Sequence, residues 1–217
     1  MSHNPFITSF ELLPETLPIF PLPGAVVMPG AELPLNIFEP RYLNMVNDAL
    51  GKHRMIGMIQ PDPDADNDID VCRTGCAGRI TQYRETRDCR IEMVLTGVCR
   101  FDVSEELSTT RGYRLVVPDW SRFSDDYVDH GKTLDGRHPE LIETLKQFFE
   151  TKGYEADLAM LERMPAARLA DSLTLALPFS AREKQMLLET VDAENRLANF
   201  IALLDGEFEV PDSATRH

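Results

Sequence analysis

The side chains in this 217-residue chain that could do chemistry are cysteines, an aspartate run, a Gly-Lys-Thr triplet and five histidines. Cys72 and Cys76 stand four residues apart. In one extended strand that spacing separates them by about 13 Å, too far for a single tetrahedral zinc ion with Zn–S bonds of about 2.3 Å. Cys89 and Cys99 fall on an apolar alternation, so all four read as reduced, mostly buried thiols. Asp62, Asp64 and Asp66 begin like a calcium loop, but its sixth position is Asn67 rather than Gly and its twelfth is Arg73 rather than Glu. An arginine at the bidentate position opposes a cation, which leaves a solvated hairpin tip. Gly131-Lys132-Thr133 has the form of the end of a phosphate-binding loop. The glycine that should precede it is Asp126, whose carboxylate would repel a phosphate, and no apolar strand leads in. His3, His53, His130, His138 and His217 pair with no nucleophile in the pattern. The expectation is therefore no catalytic residue, no metal ligand and no cofactor.

Composition narrows the partners. Lys and Arg number 22 against 36 Asp and Glu, a formal charge of −14, with the acid spread over both halves. Such a surface repels polyanions, so nucleic acid starts as a disfavoured partner. No apolar run approaches the roughly 18–20 residues that span a bilayer, and the first residues carry no basic, then apolar, leader pattern. A cytoplasmic protein without a membrane partner is expected.

The elements that must position any site fall into two groups. Residues 1–14 form an N-terminal segment. Leu17–Phe38 is proline-rich and should give two or three short strands, with tight turns at Pro23-Gly24 and Pro29-Gly30. Pro40–Leu50 has the apolar spacing of a helix, with proline at its first position and Gly51 where a terminating glycine belongs. Arg54–Gln60 and Val71–Tyr83 read as strands. From Cys89 to Val103 alternation is regular: Cys89, Ile91, Met93, Leu95, Cys99, Phe101 and Val103 on one face, Arg90, Glu92, Thr96, Arg100 and Asp102 on the other. Fifteen residues would make a strand of about 50 Å, against a usual length of about 17–20 Å, so it must bend, and Gly97 is the expected corner. Tyr113–Trp120 adds a strand. Residues 121–138 are polar and read as a linker. Beyond them strand signals stop: helices are expected from Leu141, over Asp157–Met164 and Ala166–Leu177, from a capping box at Ser180 and Glu183, and from Asp192 to a stop at Gly206. Residues 207–217 form a tail.

LPIFPLPG at 17–24, MPGAELPLNIFEPRY at 28–42, Gly57 after a basic pair, Gly75-Cys76-Ala77-Gly78, and Ala-Leu-Pro-Phe-Ser at 176–180 carry a family resemblance. Over roughly residues 15–204 the chain resembles the N-terminal, substrate-binding domain of Lon-type ATP-dependent proteases. The resemblance implies an α+β fold: a PUA-like antiparallel β pseudo-barrel lobe at 15–120, followed by a C-terminal helical bundle at 139–206. It also implies a non-catalytic, stand-alone domain, since neither the nucleotide-binding motor nor the Ser-Lys protease of that family has a counterpart in the sequence. The implied partners are polypeptide substrates, or a protease or chaperone.

Phe38, Glu39, Arg41 and Tyr42 are the candidate partner-binding residues. Glu39 could instead cap the helix, with Arg41 pairing to a β-lobe carboxylate or carbonyl; the functional alternative is that they rim a groove between the lobes. Two other functions stay open. PUA-like barrels elsewhere bind RNA, and Arg79, Arg84, Arg87 and Arg90 cluster on one hairpin, though the acidic balance opposes this reading. A small ligand in the interlobe cleft is the other.

Overall fold

The computed structural model describes residues 9–63, 65, 70–127 and 135–206. The β lobe contains β1 (Leu17–Pro21), β2 (Glu32–Ile37), α1 (Pro40–Leu50), β3 (Met55–Ile59), β4 (Thr74–Glu85), β5 (Ile91–Leu107) and β6 (Arg114–Asp119). The helical lobe contains α2 (His138–Lys152), α3 (Leu158–Leu161), α4 (Ala166–Ala176), α5 (Ala181–Glu189) and α6 (Ala193–Asp205). The fold is α+β, with the strand-rich and helix-rich parts in sequence as the composition shift implies.

The sheet order is β2-β5-β4-β3-β1-β6, and β6 pairs back onto β5, so five strands close and β2 stands outside. Pairing is antiparallel except between β1 and β3, where Ile19 lies opposite Gly57. That parallel pair needs a crossover, and α1 lies within it. Closure depends on β5. Its first half pairs with β2 and its last part with β6, while β4 follows most of its length. The bend is a bulge: Ala77 faces Cys99 while Gly78 faces Gly97, which leaves Val98 unmatched.

Gly97 is the corner residue for a reason beyond flexibility. A Cβ there would lie 2.1 Å from the carbonyl oxygen of Met28. The Pro29-Gly30 turn docks against this point, with Gly30 N–H donating to Gly97 O and Gly97 N–H to Ala31 O, both at 2.9 Å. Gly24 and Gly30 both have positive φ, as their turns require. Ala25–Met28 is not a strand, yet its side chains are buried.

Two apolar clusters fill the β lobe. One packs α1 through Tyr42, Met45 and Val46 onto Phe20, Ile56, Ile80 and Leu95. The other surrounds Phe101 with Leu17, Ile19, Ile59 and Val116. Cβ atoms at Gly57 or Gly75 would approach the Phe101 ring to 2.8 Å, so glycine makes room for it. The helical lobe has a separate core of Leu141, Leu145, Leu187, Leu197 and Phe200. Its caps follow the sequence: Ser180 and Glu183 form a reciprocal capping box, Asp192 accepts from Asn195 N–H, and Gly206 ends α6 in the left-handed region.

Several local expectations give way. Gly51 is right-handed (φ −75°); the left-handed residue after α1 is Arg54 (φ 56°), whose N–H reaches Ala49 O at 2.8 Å. Cys89 does not join the apolar face; it is exposed in the β4–β5 turn with φ 60°. Ser121–Tyr127, at the start of the stretch read as a linker, forms kinked 3-10 turns that bury Phe123. Arg100 and Asp102, on the polar face of the alternation, are both buried. The bulge and the covering elements explain this, because four consecutive residues, Cys99–Asp102, are enclosed. Asp64, Asp66, the Gly131-Lys132-Thr133 triplet, His3, His130, His217 and the 207–217 tail lie outside the described residues.

Candidate functional site

The four candidate residues at the β2–α1 junction divide into an outward and an inward set. Phe38 is 60% exposed. The Arg90 guanidinium lies 5.6 Å from its ring centroid. Glu39 is the residue before α1 but makes no capping bond; its carboxylate holds Arg41 at 2.9 Å. Arg41 also stacks over Tyr42, 4.5 Å from the ring centroid. Tyr42 itself points inward and packs on Phe20 with centroids 4.3 Å apart. Burial pushes its phenol above the ordinary value.

Beside this junction, β2, β5 and the outer half of β4 form a three-stranded arm. Rows run across it: Leu35–Met93–Tyr83, Pro34–Val94–Gln82 and Asn36–Glu92–Arg84. These residues line a concavity of about 510 Å³. Tyr83 is exposed there, and its hydroxyl donates to Glu85. Two of the four hairpin arginines are held by neighbouring carboxylates: Arg84 is paired with Glu92, and Arg90 with Asp88 at 2.9 Å. β2 pairs only with β5 among the described residues, so its outer edge is open. Pro34 sits in the middle of that strand and lacks an N–H, a common way of blunting an edge.

A second hollow of about 290 Å³ lies beside the end of α1, lined by Leu17, Asp48, Lys52, His53, Met55 and Tyr113, among others. Its carboxylate is engaged: Arg111 binds Asp48 through two nitrogens at 2.9 Å, and Tyr113 donates to it at 2.9 Å. The Arg111 bonds hold the Asp48 carboxyl below the ordinary range.

The joint between the lobes is filled rather than open. Arg100 on β5 reaches Asp126 with Nη2 at 2.6 Å, Leu188 O at 3.1 Å, Thr190 O at 2.6 Å and Val191 O at 3.1 Å. Its guanidinium also lies 4.6 Å from the Phe123 ring centroid. One side chain thus ties a strand, the 3-10 segment and the α5–α6 turn. Nearby, the Gln60 amide donates to Ala181 O at 2.9 Å and Gln185 Oε1 at 3.0 Å, and accepts from Gly24 N–H at 3.0 Å. Gln185 donates to Thr74 O at 3.1 Å. Lys184 donates to Leu175 O at 3.1 Å and Gly24 O at 3.4 Å, and burial pushes its ammonium below the ordinary value. In the sequence Arg100 falls on the polar face of the alternation, and Asp126 stands only as a misfit in a phosphate loop. Their partners lie 26 to 91 residues away, which leaves no local pattern. The one available hint was Val94 and Val98, apolar residues on the polar side of the alternation.

Two of the thiols are shielded within the β lobe. Cys76 and Cys99 are buried, and burial raises both pKa values, so the thiol form persists at neutral pH. No group of His, Cys, Asp or Glu among the described residues could hold a metal ion. No described helix is long and apolar enough to cross a membrane.

The chain is 26% identical over 212 residues to a Lon protease of Dictyoglomus thermophilum, covering 94% of this chain and 26% of that protein. It is 27% identical over 216 residues to Lon protease 2 of Myxococcus xanthus, covering 95% and 25%. The chain therefore spans about a quarter of the length of these curated relatives. Its fold is similar to the crystal structure of a Lon N-terminal domain protein from Xanthomonas campestris, with TM-score 0.64, 25% identity and coverage of 86% and 97%. The N-terminal domain of a Mycobacterium avium complex Lon protease shares the fold at TM-score 0.68 and 16% identity, with coverage of 89% and 100%. The match is to a substrate-binding rather than a catalytic part. A family model described as the ATP-dependent protease La (LON) substrate-binding domain matches residues 16–206, and the chain belongs to that family.

Proposed function

We propose that this chain is a non-catalytic recognition module that binds polypeptide segments on the β2–β5–β4 arm, acting as an adaptor or as the recognition part of a proteolytic system in the cytoplasm. The observation that supports it most is the concave arm, where exposed Tyr83 stands in a row with half-buried Leu35 over the buried Met93, and exposed Phe38 lies at the end of β2. Apolar side chains that remain exposed on a folded lobe are natural anchors for an unfolded segment. Phe38 and Arg41 of the original candidates serve as the rim, and Tyr42 supports it from below. Because Pro34 interrupts the donors of the open edge, side-chain burial supplies more of the affinity than strand addition. Burying one such aromatic contributes about 1.5–3 kcal/mol.

RNA is the poorer partner, since Arg84 and Arg90 are already held by carboxylates of the same hairpin. Fluorescence anisotropy with a labelled, permanently unfolded polypeptide tests the proposal. The wild-type chain should bind it, and Tyr83→Ser with Phe38→Ser should bind at least tenfold more weakly. Equal binding by the variant would remove the arm from the reading, and tight, salt-dependent binding of an RNA oligonucleotide with no polypeptide binding would remove the function.

A further inference from the structure

We infer that the buried polar contacts at the lobe joint set the angle between the lobes, with Arg100 as the orientation-specifying residue, so that a partner meets one rigid surface rather than a hinge. Apolar contact across the joint is slight: among the described residues of the helical lobe, only Leu188 enters the buried clusters of the β lobe, with Leu175 packed beside it. Such contact is non-directional and tolerates rotation. The hydrogen bonds do not. Arg100 uses Nε and both terminal nitrogens, its partners come from two separate segments, and its side chain is 1% exposed with Asp126 at 3%. The planar fork fixes direction as well as distance. Gln60, Gln185 and Lys184 add a second set of fixed directions on the neighbouring side of α5, tying it to Thr74 and Gly24. Rotating the helical lobe would break the Arg100 bonds to Leu188, Thr190 and Val191 together with the second set, and leave those buried carbonyls without donors, while Asp126 stays on the β-lobe side and holds the guanidinium in place. Buried ionic groups that specify geometry rather than add stability have this character. The joint stays closed in the free chain, and a partner is gripped without lobe closure.

The test is the interlobe distance distribution by double electron–electron resonance. Spin labels are placed at Glu105→Cys and Glu155→Cys, both exposed, in a Cys89→Ser background. The unaltered joint should give one narrow distribution. Arg100→Met with Asp126→Asn should at least double its width while the circular dichroism spectrum is retained. Arg100→Lys keeps a cation against Asp126 but cannot reach all three carbonyls, so it should broaden the distribution by a smaller amount; it decides the matter if the double variant does not fold. Arg84→Met with Glu92→Gln, an exposed pair bridging β4 and the outer half of β5, should leave the width unchanged. A distribution that stays narrow in the Arg100 variants, or one that widens equally in the exposed-pair control, overturns the inference.

Discussion

The two halves of β5 carry similar chemistry in opposite surroundings. At the arm, Glu92 pairs with Arg84 in the open, with side chains 46% and 72% exposed. Past the bulge, Arg100 pairs with Asp126 where neither is more than 3% exposed. An exposed pair is weak because water competes for both partners, and it contributes about 0.2–1 kcal/mol. A buried pair adds little net stability, yet removing one partner strands the other and costs about 3–5 kcal/mol. The alternation of residue types is nearly continuous through both halves. What differs is whether another element covers the polar face. In the proposed reading the open half meets the partner, and the covered half fixes the frame that presents it.

This contrast can be broken most forcefully at Arg100. Arg100→Met leaves Asp126 buried without its cation and should lower the free energy of unfolding in urea by about 3–5 kcal/mol. A loss below about 1 kcal/mol would place the pair in the same class as the exposed one. Gly97→Ala tests the corner between the halves. The added Cβ would press on the Met28 carbonyl at 2.1 Å, and the backbone shift should cost about 1–3 kcal/mol. Ser180→Ala removes the hydroxyl that accepts from Glu183 N–H at the start of α5 and should cost about 1 kcal/mol. Arg84→Ala should change stability by less than about 1 kcal/mol, and the small effect should shrink further in high salt. An Arg84 effect as large as that of Arg100 would abolish the distinction between the halves.

How much of this was legible follows the same line. Turns at Gly24 and Gly30, the start of α1 at Pro40 and the Ser180 capping box are local signals, each set by a residue's own φ or by a partner a few positions away, and each was readable. The bend at Gly97 was readable from strand length, although the Met28 carbonyl that excludes a side chain there is distant in sequence. The closed sheet was legible mainly through the length of β5. The joint was not, because Arg100 stands on the polar side of an alternating strand and Asp126 lies in a polar stretch. Only the three-dimensional return of α5 shows that those polar residues face each other rather than water. Tyr42 illustrates the converse: adjacent to exposed candidates in sequence, its ring turns inward onto Phe20. Helical geometry separates neighbours onto different faces, so proximity in the chain does not place them on one rim.

The central claim, that the arm receives polypeptide while the helical lobe stands by as a rigid support, is tested most directly by amide hydrogen exchange with and without a saturating unfolded polypeptide. The expected result is added protection over residues 33–38 and 82–94, with the exchange of residues 139–164 and 181–206 unchanged. Protection confined to the helical lobe, or no change in the arm under conditions where binding is established, would contradict it.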